Sequence, residues 1–145
     1  MGLDLGTKTI GVAVSDAMQS IATPVTTIER SKFSKDMEAL GAIIKEFEIG
    51  GYILGLPLNM DGTEGGRCDA TRSFADEMRQ RPEIFGEKPF IALWDERLST
   101  RTVDDFLDKR VDINRTKKRG AKESGLVDQL AAQVILQGAL DSLGV

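Results

Sequence analysis

The chain has 145 residues, 41% of them hydrophobic, and a formal net charge of −4, which suits one globular domain with its own core and leaves no room for a second lobe. It has no histidine and a single cysteine, so Ser-His-Asp triads, Cys-His dyads, zinc centres and intrachain disulfides are excluded together. No apolar run approaches a bilayer span, no basic-then-apolar leader opens the chain, and Gly6 stands where a myristoylation signal needs Ser or Thr, so a cytosolic protein is expected.

In chain order, Leu3–Leu5 and Ile10–Val14 flank Gly6-Thr7-Lys8-Thr9, which predicts two strands joined by a tight turn. The first strand is short at its start, as expected if natural residues precede Met1. Thr23 to Ile28, rich in β-branched residues, predicts a third strand and makes three antiparallel strands plausible. Met37, Leu40, Ile43, Ile44 and Phe47 then recur at helical spacing behind the cap candidate Ser34. Tyr52–Leu56 reads as a buried strand ended by Pro57. A helix from about Arg67 to Arg81, stopped by Pro82, follows and carries Cys68 as a buried thiol with no catalytic role. Phe90–Trp94 is the next strand. A helix capped near Ser99 or Thr100 carries Val103, Phe106 and Leu107, and Val127, Leu130, Ala131, Val134, Ile135 and Gly138 form a final amphipathic helix. Antiparallel strands first, then strand-helix alternation, predict a three-layer α/β domain with a mixed sheet rather than a Rossmann sheet. No internal repeat interrupts it.

Three acids stand out at the ends of these elements. Asp4 lies inside an apolar strand, where an ionised carboxylate needs hydrogen bonds, a counter-charge or a cation. Glu96 follows the strand Phe90–Trp94, with Asp95 between. Asp128 borders the apolar stripe of the last helix, where its plain alternative role is to stabilise the helix N-terminus. Without histidine, acid-base and metal chemistry falls to Asp, Glu, Lys, Arg, Tyr and water, and an all-oxygen ligand set suits Mg²⁺ or Mn²⁺. Asp95 points to the opposite face from Glu96 if the strand runs on, though a bend there would exchange the two. Asp141 is thirteen residues from Asp128, about 20 Å along a helix, and is excluded from the same cluster.

Asn59 and Asp61 follow a buried strand at the end where open α/β sheets bind ligands, and turn formation explains them equally well. Gly62 to Gly66 lacks the Gly-Lys-Ser/Thr of a Walker loop. Lys8 and Arg97 stand beside the acids, placed either to neutralise phosphate or to pair with carboxylates. Residues 109 to 122 hold Arg115, Lys117, Lys118, Arg119 and Lys122 among seven cations against Asp112 alone. They predict a basic loop whose local charge, within a Debye length of about 8 Å, counts for more than the net charge.

Gly2-Leu3-Asp4-Leu5-Gly6-Thr7-Lys8 with Gly11-Val12-Ala13-Val14-Ser15-Asp16, Gly55-Leu56-Pro57-Leu58-Asn59-Met60-Asp61-Gly62-Thr63, Asp95-Glu96-Arg97-Leu98-Ser99-Thr100, and Asp128 with Ala131-Ala132 and Ile135-Leu136 occur in this order. Over nearly its whole length the chain thus resembles the pre-16S rRNA nuclease family, also described as Holliday-junction-resolvase-like, within the ribonuclease H-like superfamily. The resemblance implies a ribonuclease H-like three-layer domain spanning residues 1–145, with a mixed five-stranded sheet, three antiparallel strands then two parallel, flanked by helices. It implies Asp4, Glu96 and Asp128 as catalytic acids and metal ligands for Mg²⁺ or Mn²⁺; Lys8, Asn59, Arg97 and the basic loop are then the candidates for contact with a nucleic-acid substrate. The expected substrate is precursor rRNA, met on the ribosome and processed at the 5′ end of pre-16S rRNA, or else branched DNA, on which a resolvase acts as a homodimer rather than a monomer. Two rivals stand beside it. An actin-like or sugar-kinase-like ATPase shares the Asp-Leu-Gly-Thr loop but needs a second lobe, and a non-catalytic RNA or ribosome-assembly binding module would keep the fold without turnover.

Overall fold

A computed structural model describes residues 1–96 and 125–143. Its centre is a five-stranded sheet in the order β3-β2-β1-β4-β5. The strands are β1 (Gly2–Leu5), β2 (Thr9–Ser15), β3 (Ala22–Glu29), β4 (Gly51–Leu56) and β5 (Phe90–Asp95). β1, β2 and β3 pair antiparallel, as the hairpin signal at Gly6–Thr9 predicts, and Gly6 N–H donates to the Thr9 carbonyl at 2.8 Å to close the turn. β4 pairs parallel to β1 and β5 parallel to β4. Long-range parallel pairing of this kind needs crossover connections, and helices α1 (Phe33–Phe47), α2 (Gly66–Arg79) and the short α3 (Pro82–Phe85) supply them. A last helix, α4 (Leu126–Ser142), follows. The result is the mixed, ribonuclease H-like α/β architecture.

The two faces of the sheet are covered differently. Leu3, Leu5, Ile10, Val12, Tyr52 and Leu54 pack on one face against Met37, Leu40 and Ile44 of α1 and Phe74, Ala75 and Met78 of α2. Alternation along each strand sends the neighbours to the other face. There Ala13 and Ile53, with Ala92 and Trp94, meet Ala132, Ile135, Leu136, Ala139 and Leu140 of α4. Ala13, Ala92, Ala132 and Ala139 contribute little bulk to this second core, and Gly2 and Gly11 meet α4 directly, so α4 lies close to the backbone of the sheet.

Two predicted details change. Ser34 does not cap α1, whose cap position is Lys32 without a side-chain bond; instead the buried Asp36 carboxylate reaches back to accept Ser31 N–H at 3.0 Å. The second helix ends at Arg79, before Pro82, because Pro82 opens the separate turn α3, where a missing N–H costs nothing. The helix expected after Ser99 and the basic loop at 109–122 lie outside the described residues. Among the described residues no helix is long and apolar enough to cross a membrane.

Candidate active site

Glycines inside strands mark places where something must come close to the backbone, and three of them place the site. A Cβ on Gly2 would stand 2.7 Å from Leu136 Cβ and 2.9 Å from the Ala132 carbonyl oxygen. One on Gly11, the partner of Asp4 across the hairpin, would run into the Asp128 backbone carbonyl. One on Gly55 would collide with the Glu96 carboxylate and sit 2.6 Å from Ile135 Cδ1. The helix start bearing Asp128 is thereby laid over the β1–β2 pair, and a slot is left beside β4 for Glu96. Trp94 belongs to the α4 side of β5, and Glu96, just past the strand, lies on that side too, with its carboxylate beside Gly55 and Ile135.

Asp4 and Glu96, delivered by different strands, meet side chain to side chain in a hydrogen bond. Two carboxyls can bond in this way only if a proton lies between them. Burial pushes Glu96 up to about 8, and its contact with Asp4 pushes it the same way. Burial also raises Asp4, and the negative charge of Asp128 adds to the rise, while the bond from Glu96 and the Arg67 guanidinium work against it. Burial thus drives both carboxyls toward the protonated form. Asp128 is near enough to act on Asp4 through its charge, and one of its own oxygens accepts Thr9 Oγ1 at 3.0 Å. Among the described residues no three Asp, Glu or Cys side chains stand in the closed grouping of a formed metal site. The donor chemistry nonetheless fits a hard divalent cation: carboxylate oxygens from three elements, with more negative charge than Arg67 offsets.

Arg67, Thr9 and the glycine clearances are the site features that the sequence reading missed. Arg67 opens α2 and donates to the Leu5 carbonyl at 3.2 Å, one residue beyond Asp4; on the sequence it is one more charged residue on a helix surface. Gly11 and Gly55 did carry a signal, since each interrupts an otherwise apolar strand. Lys8 lies exposed on the β1–β2 turn. The Asn59 amide donates to Thr63 Oγ1 at 3.1 Å, and Asp61 accepts both Thr63 N–H and Oγ1, so both side chains build the turn after β4. Cys68 is buried in α2, with its thiol toward the Pro57 carbonyl. Asp141 is exposed and accepts from Gln137 on α4. Arg97, Arg115, Lys117, Lys118, Arg119 and Lys122 lie outside the described residues.

A mixed sheet whose parallel strands deliver acids under a covering helix defines an α/β protein of the ribonuclease H-like class. Residues 1–142 match the family model described as RuvX, Holliday junction resolvase. Relatives carrying the provisional name pre-16S rRNA nuclease are 49% identical over 143 residues in Rhodospirillum centenum, 51% over 142 in Ruegeria pomeroyi and 47% over 142 in Myxococcus xanthus. These alignments cover 98 to 99% of this chain and 73, 85 and 87% of the respective relatives. The chain belongs to the RuvX family of nucleases.

Proposed function

We propose that this chain is a metal-dependent phosphodiesterase that cuts structured nucleic acid, with precursor 16S rRNA near its 5′ end as the substrate, working in the cytosol during ribosome biogenesis. The observation that carries the reading is the direct contact of Asp4 with Glu96 from separate strands, with Asp128 leaning toward them from α4. Carboxylates converge in this way against their own repulsion where a cation is to be held. Asp4, Glu96 and Asp128 would hold Mg²⁺ or Mn²⁺, which supplies Lewis acidity and lowers the pKa of water at the reacting phosphorus.

The other roles fall to the chain itself. Asp4 and Glu96 would serve such an ion as ionised carboxylates, so the proton that burial favours on Glu96 would have to be lost for the ion to be held. Thr9 holds Asp128 in reserve and keeps its carboxylate at the mouth of the slot. Trp94 and Ile135 wall the site with apolar surface, which strengthens every charge interaction inside it. Lys8, Arg97 and the basic residues Arg115 to Lys122 would hold the phosphate backbone, giving affinity that falls with salt and little preference for base sequence; Asn59, on the turn after β4, would also meet the substrate.

The matching family model is described by Holliday junctions, and that makes four-way DNA junctions the second substrate to test. The test is cleavage of a precursor 16S rRNA 5′ segment, a plain RNA duplex and a four-way DNA junction, with Mg²⁺, with Mn²⁺ and with chelator. Cation-dependent cutting of the precursor segment is expected, at least tenfold faster than of the junction. Faster cutting of the junction would move the substrate to DNA, and the absence of any cutting would leave a binding module.

A further inference from the structure

Most arginines of the described surface are already neutralised. Arg72 pairs with Glu64 at 2.7 Å, Arg79 with Asp76 at 3.0 Å and Arg81 with Glu77 at 2.6 Å. Arg67 has no carboxylate within 4.0 Å among the described residues, and Arg30 reaches Asp36 only at 3.9 Å. These two converge on one cleft between the β1–β2 turn and α2, with a cavity volume of about 90 Å³ and walls that include Gly6, Thr7, Thr71 and Phe74. Each guanidinium is tethered by a backbone carbonyl: Arg67 by Leu5 at 3.2 Å and Arg30 by Gly6 at 2.7 Å. Arg30 is further steadied over the Phe74 ring at 5.8 Å. One carbonyl bond uses one of the five N–H groups of a guanidinium, so both forks keep donors for an anion. Their apolar backing of Leu5 and Phe74 lowers the local dielectric and concentrates their field.

We infer that the Arg30–Arg67 cleft is a second phosphate site, which grips a backbone phosphate flanking the one that is cut. The inference rests on the nuclease reading for the identity of the strand. The tethering carbonyls belong to the first and second residues after Asp4, at most about 7 Å along the chain, a reach on the order of one nucleotide. Arg67 faces both the cleft and the acid pair, so it links the anchored phosphate to the reacting centre. Arg30 touches the cleft alone and is a positioning residue. The cleft takes the phosphate as an anion held by forked hydrogen bonds, so an ammonium in place of Arg30 restores the charge but not the fork.

The test uses the full chain, a precursor 16S rRNA 5′ segment, and the same RNA with one phosphate at a time replaced by neutral methylphosphonate. Wild type should show one flanking position at which neutralisation weakens binding roughly tenfold, as expected for one charge-assisted contact. Arg30→Gln should lose a similar factor on unmodified RNA, lower the slope of log affinity against log salt by about 0.7 to 0.9, and become insensitive to methylphosphonate at that position. Arg30→Lys should recover the salt slope but only part of the affinity. Far-ultraviolet dichroism and thermal melting confirm that each variant is folded. Binding is read with Glu96→Gln in the background, so that cleavage is not required. If the methylphosphonate pattern and salt slope of folded Arg30→Gln match those of wild type, the site is overturned even when cleavage is normal. If both change as stated and no protein cuts with any cation, the site stands and the nuclease reading falls. If the chain binds no nucleic acid, both fall.

Discussion

Partial burial and the neighbouring Asp4 move Glu96 far from its ordinary titration, and the sign of that shift can be tested. Its folded value is about 8 against an ordinary 4.5, so the protonated form is the one that the fold favours. The stability it lends is complete below pH 4.5 and is lost as pH rises through about 8. Asp4, also raised, acts in the same direction. Glu96→Gln keeps the neutral shape, and it should stabilise the protein at pH 8.5 by roughly 2 kcal/mol, less than the full shift implies because part of the carboxyl meets water. At pH 4.5 it should change little. A thermal midpoint that falls equally at both pH values would contradict this protonation assignment. Thr9→Val removes the hydroxyl that holds Asp128 and should cost about 1 kcal/mol in urea unfolding, with a larger proportional loss in kcat than in RNA affinity. Asp4 was readable from the sequence because an acid among strand-forming apolar residues is costly. Arg67 and Thr9 were not, since their importance arises only from the carbonyl and carboxylate that folding brings beside them.

Among the elements, α4 and the strand glycines decide whether the acids meet. Gly55→Ala places a methyl against the Glu96 carboxylate and Ile135, and Gly11→Ala places one against the Asp128 backbone. Each should destabilise by about 1–3 kcal/mol through overpacking and abolish activity by displacing an acid. Gly50→Ala, with nothing within 4 Å of an added Cβ, is the matched control and should leave stability within about 0.5 kcal/mol of wild type. Urea denaturation of the three variants checks the ordering, and equal effects at Gly50 and Gly55 would remove the packing argument. The strands were the most readable elements, because period-two alternation and the Gly6–Thr9 turn are local signals. The start of α1 was not, since its N-terminus is served by Asp36 reaching back from within the helix rather than by a preceding cap. Pro82 marked a boundary correctly but opened a new turn instead of directly ending the old helix.

For the molecule as a whole, the order of antiparallel and parallel strands follows from the sequence, whereas the meeting of Asp4, Glu96 and Asp128 is a long-range outcome. No spacing announces it: the bond that holds Asp128 comes from Thr9, 119 residues away in the chain. A net charge of −4 with buried acids also means that a bound cation should stabilise the fold. Mn²⁺ at one hundred times its dissociation constant should stabilise wild type by about 2.7 kcal/mol, and Asp4→Asn should forfeit most of that gain in a thermal melt. The decisive measurement is the single-turnover rate of precursor 16S rRNA cleavage at saturating Mg²⁺ for wild type beside Asp4→Asn, Glu96→Gln and Asp128→Asn. Each variant is expected to lose on the order of a thousandfold or more while staying folded; three folded variants that cut at the wild-type rate would show that these acids do not form the catalytic centre.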